Sequence, residues 1–326
     1  MERPERIGPY RITELLAQGS TSYVVAAQHE GPGGFTLPVA LKTLRSSFAR
    51  SPSSSRDFLF EARAAASVVH PHIAQVHGLV DERERLFLVM EHVRGWSLRG
   101  LCATLSLTRR TCAYEVAIAL VRNAAQAVQA LHDVGVLHRN LSPDNLLISG
   151  TGHIKVIDFG AASWDLIVRV RASTSPPAVD AAYAAPEVAM GLPADRPSDV
   201  YTLGAVLHEL CLGAPPAALG WPNWRGAGVA PPTADLPDGL GAVIERSLRY
   251  AAQERFATAA DFSQALEDVA ARHRWRASPP MIAAYCARTF ATRTLAKPIS
   301  TVSRPASRRP PSELGRTRVR LKRTAS

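Results

Sequence analysis

The sequence predicts an α+β fold of two lobes, a β-rich N-terminal lobe with one main helix and an α-rich C-terminal lobe, plus a disordered basic tail. Extended, turn-rich segments fill residues 10–93, whereas long Ala/Val/Leu-rich segments with helical spacing dominate residues 94–272. A block of strands followed by a block of helices is typical of α+β proteins rather than of alternating βαβ units. After Arg276 the chain is rich in Pro, Ser, Thr and Arg and poor in large apolar residues, which favours disorder.

The N-terminal lobe is expected to contain five strands and one helix. The strands are predicted in YRITELLA (10–17), YVVAAQHE (23–30), LPVALKTL (37–44), IAQVHGLV (73–80) and RLFLVMEHV (85–93). A Ser-Pro-Ser-Ser-Ser stretch at 51–55 breaks the pattern. The segment RDFLFEARAAASVV (56–69) then has helical spacing, and it ends before His70-Pro71.

The C-terminal lobe is expected to be helical at 113–134, 198–213, 238–250 and 258–272, with short strand-like runs at NLLIS and IKVID. The predicted boundaries are an N-terminal extension at 1–9, a two-lobed domain at 10–272 and a tail at 273–326. Within the domain the lobes meet between residues 93 and 94.

Cysteine usage and the lack of apolar runs predict a cytoplasmic protein. The four cysteines stand far apart, with no CxxC pair and no histidines at zinc spacing, which favours free thiols in a reducing compartment. The polar start lacks the apolar core of a signal peptide, and no apolar run is long enough to suggest a membrane span.

The positive charge is concentrated in the tail. Of 38 Lys/Arg and 28 Asp/Glu residues, eleven basic residues and one acidic residue lie from Ala277 onward, which leaves 27 of each before it. Such a tail could bind polyanions, either nucleic acid or an anionic membrane. Arg-x-x-Ser spacings that begin at Arg304, Arg309 and Arg323 resemble sites of basophilic kinases, although any Arg- and Ser-rich tail produces such matches.

Five motifs follow one another in order and at regular intervals. They are Lys42 at the end of Val39-Ala40-Leu41-Lys42 with Glu61 on the first helix, His138-Arg139-Asn140-Leu141-Ser142-Pro143-Asp144-Asn145, Asp158-Phe159-Gly160, Ala185-Pro186-Glu187, and Asp199-Val200-Tyr201-Thr202-Leu203-Gly204. Alone, a strand lysine usually lies along the surface and a helical glutamate is usually solvated. Together the motifs resemble the protein-kinase family, in particular the eukaryotic-like Ser/Thr kinases of bacteria, over residues 10–272.

The resemblance implies two cofactors, ATP and Mg²⁺. Lys42 would hold the α- and β-phosphates and be oriented by Glu61, while Asn145 and Asp158 would bind magnesium through oxygen. The nucleotide would also contact residues of both lobes, with Met90 as the gatekeeper and Glu91 to Val93 facing adenine. These positions are Ala17, Gly19, Ser22, Val24, Ala40, Met90, Glu91, Val93 and Leu147.

Other positions are implied to maintain the fold. Phe159 and His138 would join a hydrophobic spine between the lobes, and Asp199 would hydrogen-bond the backbone of the catalytic loop. Glu187 and Arg255 would form a buried ion pair.

The glycine-rich loop departs from the family pattern. The three glycine positions correspond to Ala17, Gly19 and Ser22, so one glycine is left where close backbone approach to phosphate is needed. A weaker hold on the nucleotide is expected.

The chemical centre departs further. Asn140 stands at the position of the catalytic base, and an amide cannot accept the substrate proton; loss of a general base costs about 10²- to 10⁴-fold. Ser142 replaces a lysine that steadies the phosphoryl group, a loss of roughly 10²- to 10³-fold. Asp180 replaces a threonine that bridges the two. It would either face Asn140 and Ser142 or lie solvated in a flexible segment.

Three functions remain open. The first is a pseudokinase that binds ATP and Mg²⁺ and acts in signalling through an unidentified protein partner. The second is an active but slow Ser/Thr protein kinase with an unknown substrate, in which Asp180 or water replaces the base. The third is a polyanion-binding scaffold that works through the tail. Arg139 and hydroxyls at Ser173, Thr174 and Ser175 could take part in control by phosphorylation.

Overall fold

A computed structural model describes residues 5–292, apart from residues 20, 50, 159–179, 220–232 and 234. The strands within these ranges are β1 (Arg6–Ile7), β2 (Tyr10–Gln18), β3 (Ser22–Glu30), β4 (Thr36–Leu44), β5 (Val76–Glu82), β6 (Arg85–Glu91), β7 (Gly95–Ser97), β8 (Leu146–Ser149) and β9 (Ile154–Val156). The helices are α1 (Ser46–Ala49), α2 (Pro52–Ala66), α3 (Leu98–Leu107), α4 (Tyr114–Asp133), α5 (Pro186–Ala189), α6 (Arg196–Leu212), α7 (Leu240–Ser247), α8 (Ala259–Arg272) and α9 (Pro279–Ala291). The two-lobed α+β prediction is confirmed.

The N-terminal lobe is an antiparallel sheet with strand order β1-β2-β3-β4-β6-β5. Because successive side chains of a strand point to opposite faces, β4 contributes side chains to both faces of the sheet. Val39 and Leu41 are buried in one apolar cluster of the sheet, whereas Ala40 joins a second cluster with Phe58 of α2 and Met90 of β6. This alternation places Lys42 on the same face as Ala40, toward α2.

Helix α2 begins earlier than the sequence predicted. The prediction that residues 51–55 interrupt the structure is wrong, because Pro52 occupies the first turn of α2. Proline is favoured there, since its missing N–H would have no partner inside the helix and its φ is already helical. The N-terminal extension is likewise partly ordered: Ile7 is 1% exposed, and β1 pairs with β2.

The C-terminal lobe is built around α4, whose neighbours are α6 and α8. The four predicted helices are present with ends shifted by a few residues, as α4, α6, α7 and α8. Helix α6 starts with a capping box formed by Asp195 and Ser198, and it ends at Gly213 in the left-handed conformation. A small antiparallel sheet, β7-β8-β9, belongs to the C-terminal lobe, and β8 directly follows the catalytic-loop segment.

The chain after Arg276 differs from expectation. The prediction of disorder is wrong for Pro279–Ala291, which forms α9 with Ile282 and Cys286 buried. Two prolines at its start again occupy the first helical turn, and the buried side chains give the helix a core face. Residues 293–326 of the predicted tail lie outside the described residues.

All four cysteines are buried and free. Among the described residues, the helices are too short or too polar for any of them to cross a membrane.

Candidate active site

Lys42 joins three elements of the cleft. Its Nζ lies 2.6 Å from Oε1 of Glu61 on α2 and 3.1 Å from Oδ1 of Asp158, which follows β9. Burial favours the neutral amine, but the carboxylates of Asp158 and Glu61 outweigh it and raise the pKa of Lys42 above its ordinary value. Lys42 is therefore a permanent, buried cation that links the two lobes.

Packing beneath the sheet explains why Glu61 reaches Lys42. Phe58 and Ala62, on either side of Glu61 along α2, pack against Ala40 and Met90 of the sheet. Residues three and four apart share one face of a helix, so this packing turns Glu61 toward the strand that carries Lys42. The gatekeeper position, Met90, is thus part of the packing that holds α2 in place.

The β2–β3 hairpin takes the place of the glycine-rich loop. Ala17 pairs with Val24 across the hairpin, and the Gly19 N–H donates to the carbonyl of Ser22 at 2.9 Å. Nη1 of Arg45 donates to the carbonyl of Gly19 at 3.2 Å. Backbone hydrogen bonds therefore close the turn with alanine and serine at two of the three expected glycine positions.

The segment expected to face adenine connects the lobes. Ala40 pairs with Met90 between β4 and β6, and Leu147 lies on β8 opposite Ser97. The carboxylate of Glu91 accepts hydrogen bonds from Nζ of Lys155 at 2.9 Å and from a backbone N–H of the N-terminal lobe at 3.2 Å. The side chain of Glu91 thus ties β9 to the N-terminal lobe, and Val93 follows it in the connecting segment.

Asp199 shapes the catalytic loop, as the sequence predicted. Its carboxylate accepts the backbone N–H groups of His138 and Arg139 and Nε2 of His132, each at 2.9 Å. Burial opposes ionisation, but the hydrogen bond from His132 and the neighbouring groups hold the pKa of Asp199 below its usual value. The bound loop includes Arg139 with φ +62, a left-handed conformation that needs such support.

The backbone brings the two residues expected to bind magnesium, Asn145 and Asp158, close together. Nδ2 of Asn145 donates to the backbone carbonyl of Asn140 at 2.7 Å, so Oδ1 is the atom of this amide left for a cation. The N–H of Ile157, next to Asp158, donates to the Asn145 carbonyl at 3.0 Å. Mg²⁺ prefers oxygen and takes only one or two protein ligands beside phosphate, so these residues fit it.

Asp180 has a partner that the sequence analysis did not single out. Its Oδ2 accepts a hydrogen bond from Nη2 of Arg99 at 2.7 Å, and its side chain is 38% exposed. Ser142 is buried. Asp180 therefore forms a half-exposed ion pair with Arg99, while the loop itself carries the amide of Asn140 and the hydroxyl of Ser142.

Arg99 of α3 was missed by sequence reasoning. Besides Asp180, it donates to Asp144 at 3.0 Å and to the Tyr183 hydroxyl at 2.7 Å, and it lies 3.9 Å from Glu209. Its partners are 45 to 110 residues away in sequence, so no local pattern singles it out. Arg99 connects α3, the catalytic loop, the segment before α5, and α6.

The predicted ion pair between Glu187 and Arg255 is present. Two nitrogens of Arg255 donate to the two carboxylate oxygens at 2.7 and 2.8 Å, and the Ser198 hydroxyl donates to Oε1 at 2.6 Å. Burial opposes the charge, yet the hydrogen bonds from Arg255 and Ser198 lower the pKa of Glu187 below its ordinary value. This pair anchors the start of α5 to the C-terminal lobe.

Several predicted residues are not described. Phe159, Gly160, Ser173, Thr174 and Ser175 lie outside the described residues. His138, the other predicted spine residue, is fully buried.

Comparisons with known proteins agree with this geometry. The protein kinase domain family matches residues 10–223. The chain is 30% identical over 285 residues to the tyrosine-protein kinase MasK of Myxococcus xanthus and 33% identical over 276 residues to the serine/threonine-protein kinase PknB of Mycolicibacterium smegmatis. These matches cover 82% and 80% of this chain but 44% and 43% of the relatives, so the chain spans less than half of their length. The crystal structure of the Mycobacterium tuberculosis PknI kinase domain superposes with a TM-score of 0.61 at 27% identity, covering 81% of this chain and 97% of that domain.

Proposed function

The chain belongs to the protein kinase family, and we propose that it binds Mg²⁺-ATP between its lobes, transfers the γ-phosphate slowly at best, and acts in signalling mainly as a pseudokinase. The observation that carries nucleotide binding is the contact of Lys42 with both Glu61 and Asp158. Phosphoryl transfer depends largely on positioning and on neutralising phosphate charge, and this arrangement holds a cation ready for that purpose.

The residues around Lys42 have separate tasks in this proposal. Lys42 binds the α- and β-phosphates, and Glu61 holds its ammonium group in place. Asn145 and Asp158 hold magnesium, which when bound neutralises the phosphate charge. Ala40, Met90 and Leu147 enclose the adenine.

The weak step is proton removal from the acceptor hydroxyl. Asn140 has no acidic group, so it cannot take up the proton, and a missing general base lowers the rate by about 10²- to 10⁴-fold. Asp180 is held by Arg99 and does not replace it. We therefore expect the site to act by adopting a nucleotide-bound conformation that a protein partner can recognise.

An active, slow Ser/Thr protein kinase is the second candidate. It is favoured by the assembled Lys42, Glu61 and Asp158 and by the serine/threonine kinases among the relatives. Positioning and magnesium would then supply most of the rate, with water as the proton acceptor.

Nucleotide binding can be measured by thermal unfolding of the full chain. Mg²⁺-ATP should raise the melting temperature of the full chain, since a ligand that binds only the folded state stabilises it. Lys42→Met and Asp158→Ala should abolish the shift. The surface pair Arg272 and Asp238, whose side chains lie 2.9 Å apart, provides the matched controls Arg272→Met and Asp238→Ala. No shift in the wild-type protein at millimolar Mg²⁺-ATP would refute nucleotide binding.

A further inference from the structure

Helix α9 packs on the segment that follows the connection between the lobes. The rings of Phe290 on α9 and Trp96 on β7 are stacked, with centroids 5.8 Å apart and an angle of 14° between the planes. On α3, a Cβ added to Gly100 would lie 3.4 Å from the Phe290 ring, so the ring packs directly against this part of the helix. The C-terminal end of α9 therefore contacts β7 and α3 together.

The N-terminal end of α9 contacts the turn between β8 and β9. Gly152 in this turn has φ +87, and a Cβ there would fall 1.8 Å from the carbonyl oxygen of Pro279. Only glycine fits such an approach in a left-handed conformation. The two ends of α9 thus contact two parts of the same small sheet, β7-β8-β9.

One face of α9 is buried against the lobe. Ile282 is 1% exposed and Cys286 is 0% exposed. The Tyr285 hydroxyl accepts the N–H of Ala113, at the start of α4, at 3.2 Å. These contacts make α9 part of the lobe rather than a segment lying loosely on it.

The sheet that α9 contacts carries the proposed nucleotide and metal residues. Leu147 is on β8, Asn145 directly precedes β8, and Asp158 follows β9 by two residues. Leu147 pairs with Ser97 on β7 and with Lys155 on β9. A displacement of β7 or of the β8–β9 turn therefore moves the floor of the cleft.

We propose that α9 is an intramolecular clamp whose docking is coupled to nucleotide binding. This inference rests on the proposed binding of Mg²⁺-ATP. Docked α9 holds the β7-β8-β9 sheet in the geometry that receives the nucleotide, and by thermodynamic linkage the nucleotide stabilises the docked helix by the same factor. The last described helix of the chain thereby regulates the site between the lobes.

The test uses the full chain and Mg²⁺-ADP, with the dissociation constant from calorimetry and amide hydrogen exchange over residues 279–291. Saturating nucleotide should slow exchange of α9 in the wild-type protein. Phe290→Ala should speed that exchange and weaken binding by about fivefold or more, the lower range of measured couplings. Met281→Ala is the matched control, because Met281 lies on the same helix and is 47% exposed; it should change neither quantity.

A second variant tests the contact at the N-terminal end of α9. Gly152→Ala should have the same two effects as Phe290→Ala. Its control is Gly135→Ala, since Gly135 has a similar φ of +77 but nothing within 4 Å of an added Cβ. The control carries the backbone strain without the clash against α9.

The outcomes separate this inference from the proposed function. If Phe290→Ala and Gly152→Ala loosen α9 while the affinity for Mg²⁺-ADP stays at the wild-type value, the coupling is refuted and nucleotide binding stands. Unchanged exchange of wild-type α9 at saturating nucleotide refutes the coupling as well, and needs no variant. A wild-type protein that binds no nucleotide refutes both.

Discussion

Nη2 of Arg99 lies 2.7 Å from Oδ2 of Asp180, the carboxylate for which the sequence left two positions open, either facing Asn140 and Ser142 or solvated. The arginine that neutralises Asp180 also binds Asp144 of the catalytic loop. The other carboxylate oxygen of Asp180 accepts the backbone N–H of Ala182 at 3.2 Å, so both oxygens already have hydrogen-bond partners.

Asp180 is therefore expected not to act as the base. Asp180→Asn should leave any measurable phosphoryl transfer within about threefold of the wild-type rate, far from the roughly 10²- to 10⁴-fold loss that removal of a base causes. The measurement is the initial rate with labelled ATP and a generic acceptor protein. A drop of a hundredfold, with the melting temperature unchanged, would identify Asp180 as the acting base and favour the active-kinase alternative.

Arg255 is expected to be important for stability. Its side chain is fully buried against Glu187, and removal of one partner leaves an uncompensated buried charge, so Arg255→Ala should lower the free energy of unfolding by about 3–5 kcal/mol. Arg272→Ala is the matched control, because the pair between Arg272 and Asp238 is exposed and should contribute about 0–1 kcal/mol. Urea denaturation measures both. Equal effects of the two variants would contradict the buried role of Arg255.

Stability should fall as the pH drops below about 6.5. Burial lowers the pKa of His72 and His138 from the ordinary 6.5, so the folded protein keeps them neutral while the unfolded chain binds protons. The ring of His72 faces His70 and His153, with Lys155 also nearby, and each added charge would repel the others.

The pKa values of Glu187 and Asp199 are lowered in the folded protein. Their contribution to the free energy of unfolding is therefore retained near pH 6.5 and is lost only in stronger acid. Urea denaturation between pH 8 and pH 5.5 measures the slope, which His72→Gln should reduce. A free energy of unfolding that is constant over this range would contradict the account.

The basic tail is expected to bind polyanions in a salt-dependent way. The structure places α9 within the folded lobe, so the informative comparison is the full chain against a version that ends at Thr292 and keeps α9. The full chain should be retained on heparin and on anionic vesicles at low salt and released at high salt, because released counterions drive such binding. Equal retention of both versions would show that residues 293–326 do not bind polyanions.

The motifs predicted the fold and the central contacts, because each motif combines residue types that have few other uses at such spacing. Lys42 and Glu61 meet as expected, and so do Glu187 and Arg255, whereas the contact of Lys42 with Asp158 was not predicted. The two predicted contacts follow from the resemblance, since nothing local in the sequence brings residues so far apart together.

The errors have a common physical origin in proline and in long-range contacts. Pro52 and Pro279 lie in segments for which the composition predicts irregular chain, yet both stand in the first turn of a helix, where proline is favoured. Helix α9 contains Met281, Ile282, Tyr285 and Phe290, but the Pro-, Ser- and Arg-rich composition of the whole tail hides this apolar segment, and its packing depends on Trp96 and Gly152 elsewhere in the chain. The contacts of Arg99 are equally hidden in the sequence, because its partners come from three separate segments: the catalytic loop, the segment before α5, and α6.

The most direct test of the account is the effect of Asn140→Asp on phosphoryl transfer. Transfer of the γ-phosphate to the chain itself and to generic acceptor proteins is measured for the wild type, for Asn140→Asp, and for each in an Asp158→Ala background that removes magnesium binding. Because Lys42, Glu61, Asn145 and Asp158 are in place, the variant should gain about 10²-fold or more over a wild-type rate near background. A wild-type protein that already transfers phosphate as fast as Asn140→Asp, with both rates abolished by Asp158→Ala, would contradict the pseudokinase proposal and establish an active kinase.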